Sequence, residues 1–278
     1  MTNHANHIRV VVLDLDGVIY RGDSPIPGAT ATTHWLGQNG YHTYFFTNNS
    51  TRNRESYVDL LAGFGIQADR QHIITSASLT AHYFLDNNLL PATALVVGEG
   101  GLADELRSAG VSVVRRRGKK LIDYVVVGMD RKFTYAKLHE AQQAIRNGAY
   151  FIATNRDATY PVENNVIPGG GSIVAAVATA AEQEPLVIGK PSAQAGELIV
   201  RRAGVAPQEV LMVGDRLETD IEMGHRARLQ TCLVLTGISR AEEAAALPQE
   251  KRPDFVIESI GQLPRLLEQL QCRREGAS

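Results

Sequence analysis

Short continuous apolar runs recur along the chain, and most are followed by a stretch whose apolar positions return at helical spacing. The runs RVVVLDLD, YHTYFFT, LVIGK, EVLMVGD, TCLVLTG and DFVIES read as strands. GATATTHWLGQNG (28–40) reads as a helix closed by glycine, the usual residue at a helix C-terminus. RNRESYVDLLAGFG reads as a second helix, with Ser50 or Thr51 as its cap. SAQAGELIVRRAG, TDIEMGHRARL and IGQLPRLLEQLQ complete this helical set; Pro191 takes the first helical position in one, and Pro264 lies near the start of the last. Strands that are apolar throughout, rather than alternately, are covered on both faces, as in a parallel sheet. The alternation of strands and helices points to the same α/β class, a doubly wound parallel sheet of Rossmann-like type. Ligands bind at the carboxyl ends of such strands.

In VVLDLDGVIY (11–20) the apolar run carries straight into Asp14 and Asp16. Asp suits a strand poorly and is rarely buried without a partner. Two readings are open: a strand-end turn with solvated carboxylates, or a pair that faces a cation or strong donors. Gly17 follows at once and allows a sharp turn or a close approach of backbone. Other strand ends are polar too. FFTNNS supplies Thr47, Asn48, Asn49 and Ser50, whose hydroxyls, amides and backbone N–H groups at a helix start suit an anion. LVIGKPS ends at Lys190, and VLMVGDRLETD ends at Gly214 and Asp215 with Asp220 five residues on. Each alone is compatible with a helix-entry turn or a solvated side chain. Together they gather carboxylates that need a cation, and oxygen-only donors favour Mg²⁺. Lys190 and the Thr47 hydroxyl would then hold phosphate oxygens.

Spacing divides the chain. From Asp14 to Thr47 is 33 residues, room for one βαβ unit of roughly 30 residues and nothing large besides. From Thr47 to Lys190 is 143 residues, which leaves on the order of 110 for a separate domain. The expected organisation is a core of residues 1–78 and 185–278 with an α/β cap inserted at 79–184. TALVVGEGG, LADELRSAG, YVVVGMD, YAKLHEAQQAIRNG, AYFIATNRD and SIVAAVATAAEQ give the insert its own strand–helix order.

Composition excludes several classes. The 278 residues are 44% hydrophobic and 21% charged, which suits a globular chain with a sizeable core. With 28 basic and 30 acidic residues the net charge is −2, so no global field draws the protein to nucleic acid or an anionic membrane. The one basic cluster, RRRGKK (115–120), reads as a solvated turn. Cys232 and Cys272 form no CxxC or His/Cys cluster, which argues against a zinc site or disulfide framework and fits a reducing cytoplasm. Cys232, in TCLVL, reads as a buried thiol. No targeting segment is visible. GGGSIVAAVATAA (169–181) is too short to span a bilayer and reads as a core helix.

In this order, DLDGVIY, FFTNNS, GKPS and GDRLETD resemble the motifs of the haloacid dehalogenase superfamily of aspartate-based phosphohydrolases, over essentially the whole chain. DGVIYRGDSPIPGA and TNNSTR further resemble its NagD-like and nitrophenyl-phosphatase-like branch. The resemblance implies Mg²⁺-dependent hydrolysis of small phosphomonoesters through an aspartyl-phosphate. It implies Asp14 as nucleophile and metal ligand, and Asp16 as general acid–base with its backbone carbonyl on the metal. Asp215 and Asp220 are implied as metal ligands, and Thr47, Asn48 and Lys190 as phosphate-binding. It also implies a cap that closes over the site and admits a small phosphorylated metabolite, and it allows a homodimer. ATNRDATYP (153–161) resembles a cap loop of this branch, with Asn155, Arg156, Asp157 and Tyr160 as substrate contacts, although a loop held by its own Asx turns has the same composition.

Rival readings are disfavoured by particular residues. A dehalogenase has no use for Mg²⁺, and that family lacks the second Asp of the first motif. Phosphomutases of the superfamily usually carry their cap between the first two motifs, where this chain has too few residues. A non-catalytic metabolite sensor has no need of Asp14 and Asp16. In the insert, VVGEGGLADEL has Gly98, Gly100 and Ala103 in a GxGxxA pattern, but the next strand, VSVVRRR, lacks the terminal acid of a dinucleotide site. That pattern therefore reads as a tight βα turn. The glycines at 169–171 read as shaping a loop before a helix, and the eight histidines as structural or surface.

Overall fold

The computed structural model describes residues 7–118, 120–162 and 165–275. These fall into two compact units, one drawn from residues 7–46, 60–73 and 190–275, the other from within Thr47–Asp59 and Ile74–Gly189.

The first unit is built on a six-stranded sheet in the order Phe255–Ile257, Gln230–Val234, Val210–Gly214, Val10–Asp14, His42–Thr47, Ile73–Thr75. Thr47 and the last two residues of Ile73–Thr75 are counted with the second unit. Val10–Asp14 lies inside the sheet and pairs in parallel on both sides, with Leu13 opposite Val213 and Asp14 opposite Phe46. Val10, Val11, Val12 and Leu13 are wholly buried, which is why the run needs no polar alternation. Burial of each such side chain is worth about 1.5–3 kcal/mol, a margin that lets the strand end on an acid. Helices Ala29–Gln38, Gln194–Ala203 and Leu263–Glu275 also belong to this unit. Pro191 does not open its helix. Ala193 is the cap and Gln194 the first helical residue, its N–H 3.4 Å from the Ser192 hydroxyl, so a turn separates the proline from the helix. TDIEMGHRARL is likewise not one regular helix but a π-helical turn, Leu217–Ile221, followed by Glu222–Arg226.

The second unit has a five-stranded parallel sheet in the order Leu186–Val187, Tyr150–Ala153, Tyr124–Val127, Thr93–Val97, Ser112–Val114. Val125, Val127, Phe151 and Ala153 pack with Val174 and Val177 of helix Gly170–Ala181 and Ala141 and Ile145 of helix Tyr135–Arg146. LVIGK, read as a strand leading to Lys190 in the core, is a strand only over Leu186–Val187, opposite Ile152 and Ala153 of this second sheet, with Ile188 and Gly189 N–H bonding the Ala153 and Thr154 carbonyls just beyond it. A two-residue edge strand carries too little pattern to reveal which sheet it joins. Helix Ser76–Asp86 opens on a reciprocal capping box: Ser78 N–H bonds the Thr75 hydroxyl and Thr75 N–H bonds the Ser78 hydroxyl, each at 2.9 Å. Within the run at 115–120, the Arg115 guanidinium bonds backbone carbonyls of Val96, Gly98 and Glu99, while Lys119 lies outside the described residues. Among the described residues no helix is long and apolar enough to cross a membrane.

Candidate active site

At the carboxyl end of the central strand the chain collects charge. Lys190 Nζ lies 2.5 Å from Asp14 Oδ1 and 2.7 Å from Asp220 Oδ1, and 4.7 Å from the centre of the Phe46 ring. Asp14, Asp215 and Asp220 are buried, and each offers an oxygen within 4.8 Å of the others. Asp14, Lys190, Asp215 and Asp220, expected to gather from separate strand ends, are one cluster.

Local backbone explains how each is aimed. Gly17 has φ of +86°, and a Cβ there would lie 2.6 Å from Asp215 Oδ2, so the turn after Asp16 needs glycine for its conformation and for space. Asp215 Oδ2 accepts from Ile238 N–H at 2.9 Å, and its other oxygen, Oδ1, is buried with no hydrogen-bond partner among the described residues. Asp220 comes into the cluster on the π-helical turn, a local widening often found at functional sites. Its Oδ2 accepts from Arg216 N–H at 3.1 Å, which leaves Oδ1 on the ammonium. Asp16 is not one of this group: it is half-buried, with Oδ2 3.4 Å from the Tyr20 hydroxyl.

Electrostatics gives a test of what fits here. Three carboxylates and one ammonium leave a formal excess of two negative charges. Burial pushes the Asp14 carboxyl well above the usual carboxylate range; Lys190 opposes the shift, and Asp220 and Asp215 add to it. Burial and the charge of Asp220 push Asp215 up to about 7. Lys190 is raised, because Asp14 and Asp220 outweigh the effect of its own burial. A divalent cation would remove the excess and give the orphaned Asp215 Oδ1 a partner. Oxygen donors without sulfur or imidazole suit Mg²⁺, which binds through a few carboxylates and keeps its remaining shell for water and phosphate. The residues present fit that ion.

In the second unit several of the expected phosphate and substrate residues are joined by hydrogen bonds to one another or to Asn49. Thr47, the last residue of its strand, is buried, and its hydroxyl accepts from Asn49 N–H at 3.1 Å. The Asn48 side-chain amide donates to both oxygens of Asp157, at 3.1 and 3.2 Å. Asn155 is buried and donates to the Asn48 carbonyl at 2.7 Å. Tyr160 accepts from Asn49 Nδ2 at 3.1 Å, and Arg156 is exposed and paired with Glu184. The glycines at 169–171 do shape a loop: Gly169 and Gly171 donate to the carbonyls of Ala158 and Asp157, at 2.9 Å each, just where helix Gly170–Ala181 starts.

The GxGxxA stretch has a packing role. Gly101, outside the pattern, donates to Thr51 O at 3.1 Å, and a Cβ on it would meet Arg52 backbone. Helix Gly100–Ser108 therefore starts against the Thr51–Arg52 backbone, and about one turn on, Glu105 forms a buried bidentate pair with Arg54. Sequence reasoning missed Ser76, whose hydroxyl donates to the Asn48 carbonyl at 2.5 Å. The TSAS start of a helix was the only signal available, and it pointed to capping alone.

Two family models match the chain, one described as haloacid dehalogenase-like hydrolase over residues 11–112 and one as HAD-hydrolase-like over 187–263. Human chronophin is 37% identical over 274 residues, covering 93% of this chain and 93% of its own. The crystal structure of a glycerol phosphate phosphatase from Mycobacterium tuberculosis in complex with magnesium superposes with a TM-score of 0.85 at 36% identity, over 95% of this chain and 78% of that one. NagD from E. coli K-12 superposes with a TM-score of 0.83 at 30% identity, over 92% and 98% of the two chains.

Proposed function

The chain belongs to the haloacid dehalogenase-like hydrolase family and is a phosphoric monoester hydrolase of its NagD-like branch, and from this we propose that it hydrolyses small phosphomonoesters with Mg²⁺ through an aspartyl-phosphate on Asp14. The observation that carries the reading is the buried cluster of Asp14, Asp215, Asp220 and Lys190 at a strand's carboxyl end. Mg²⁺, held by Asp14, Asp215, Asp220 and the Asp16 carbonyl, would neutralise the repulsion between carboxylate and phosphate.

Asp14 attacks phosphorus, an O–P bond forms, and the ester P–O bond breaks. Asp16 gives its proton to the leaving alkoxide, then takes one from the water that attacks the aspartyl-phosphate and releases orthophosphate. Lys190 and the Thr47 hydroxyl stabilise charge on the transferring oxygens, and Asn48 is a further phosphate contact. Residues 79–184 serve as a cap that restricts substrates to small ones, such as sugar phosphates, glycerol phosphate or nucleotides. A reducing cytoplasm suits the two unpaired cysteines.

A screen of small phosphomonoesters with purified protein and Mg²⁺ tests the proposal, with Asp14→Asn as its control. Turnover of at least one ester is expected, and Asp14→Asn should abolish it while preserving the fold, since an amide keeps the shape but cannot attack. Near wild-type kcat in that variant, freed of contaminating phosphatase, would end the proposal.

A further inference from the structure

The loop after strand His42–Thr47 contains a hydrogen-bond arrangement centred on one peptide group. The carbonyl oxygen of Asn48 accepts from Ser76 Oγ at 2.5 Å and from Asn155 Nδ2 at 2.7 Å. The N–H of the same peptide, that of Asn49, donates to Thr47 Oγ1 at 3.1 Å. A peptide is planar, so holding its oxygen sets the direction of its N–H. Two donors on the oxygen also polarise the group and strengthen the N–H as a donor. A threonine hydroxyl has one proton and two acceptor sites. With one site filled by this N–H, the proton must point elsewhere, and no acceptor among the described residues takes it.

Both donors are themselves held. Ser76 is the first residue of a helix whose entry is fixed by the Thr75–Ser78 capping box, in which the Ser76 hydroxyl takes no part. Asn155 Oδ1 accepts from Asp157 N–H at 3.0 Å, which sets the orientation of its amide, and Asp157 in turn receives the Asn48 amide. Gly189 closes the cluster: a Cβ on it would lie 2.6 Å from Asn48 Oδ1 and 3.3 Å from Ser76 Cβ. Ser76 and Asn155 are buried, so neither bond competes with bulk water.

We propose that Ser76 and Asn155 are positioning residues for phosphoryl transfer, clamping the Asn48–Asn49 peptide so that its N–H orients the Thr47 hydroxyl and leaves that hydroxyl's proton for the transferring phosphoryl group. The inference rests on the reading that Thr47 binds that group. It replaces direct substrate contact as the role of Asn155.

A double-mutant cycle on kcat tests it, with circular dichroism and melting to show that each variant is folded. Thr47→Val should lower kcat by about 100-fold, as loss of one donor to developing charge does. Ser76→Ala should lower kcat about tenfold with KM little changed, because a misaimed donor is felt mainly in the transition state. In the Thr47→Val background the same change should have less than about a twofold effect, the coupling expected of residues that act through one another. An equal factor in both backgrounds, or no loss in the wild-type background, overturns the inference while leaving the role of Thr47 intact. An unchanged kcat in Thr47→Val would instead overturn the underlying reading, and the inference with it. Should Ser76→Ala not fold, Asn155→Ala in the same cycle decides by the same criterion.

Discussion

At the scale of single residues, Asp14 and Asp16 are two apart in sequence and differ sharply in surroundings. Asp14 is buried against the Lys190 ammonium, whereas Asp16 is half-buried near the Tyr20 hydroxyl. Chemical roles should divide accordingly. If Asp16 protonates the leaving oxygen, Asp16→Asn should slow an alkyl phosphate far more than nitrophenyl phosphate, whose phenolate leaves with little help. One well-placed general acid is worth roughly 100- to 10,000-fold, so the contrast should be plain. Single-turnover measurement of the first chemical step avoids interference from hydrolysis of the aspartyl-phosphate. Equal slowing for both leaving groups would remove Asp16 from the acid's role. The Asp pair was legible because an apolar run that ends in two acids contradicts its own burial. Asn155 and Asp157 stood out as loop residues that the resemblance made substrate contacts, not as partners of the Asn48 loop. Their partner, Asn48, lies more than a hundred positions away, 107 positions before Asn155 and 109 before Asp157. No local pattern encodes a pairing of that range.

At the scale of elements, the continuous apolar runs announced the parallel sheets, and the βα alternation announced their winding. Less legible was where short or irregular pieces belong. Leu186–Val187 joins the second sheet, and the segment carrying Asp220 widens into a π-helical turn, since neither feature has its own periodicity. Helix Gly100–Ser108 shows how a motif can mislead. Gly98, Gly100 and Ala103 fit a dinucleotide pattern, yet the close approach belongs to Gly101, where a Cβ would lie 2.3 Å from the Arg52 carbonyl carbon. Gly101→Ala should therefore force the backbone apart and destabilise the protein by about 1–3 kcal/mol. Gly100 has open space around its Cβ position. Gly100→Ala should be neutral, or stabilising by up to about 1 kcal/mol through the better helix propensity of alanine. Urea unfolding of the two variants checks both signs. A tolerated Gly101→Ala beside a damaging Gly100→Ala would return weight to a ligand-binding loop.

At the scale of the whole molecule, the extensive apolar burial of the core sheet offsets a destabilising centre. Asp14, Asp215 and Asp220 crowd together, and one ammonium cannot balance them. A cation bound there should stabilise the fold as well as serve catalysis, because unfolding disperses its ligands. At 100 times its Kd such an ion adds about 2.7 kcal/mol, which for a chain of this size raises Tm by several degrees. Asp215→Asn removes one buried negative charge and one ligand, so two opposite effects should appear together. The metal-free variant should melt no lower than metal-free wild type, since like-charge repulsion is relieved, and Mg²⁺ should raise its Tm much less. Activity gives an independent reading of the same ion. EDTA should remove turnover from the wild type and Mg²⁺ restore it. Ca²⁺ should raise Tm but support turnover poorly, because its larger, looser shell holds ligands less rigidly than the octahedron of Mg²⁺. An unaltered Mg²⁺ response in Asp215→Asn would show that the stabilising ion binds elsewhere. Full turnover of the wild type in metal-free buffer would show that the excess charge at the strand end is met without a metal.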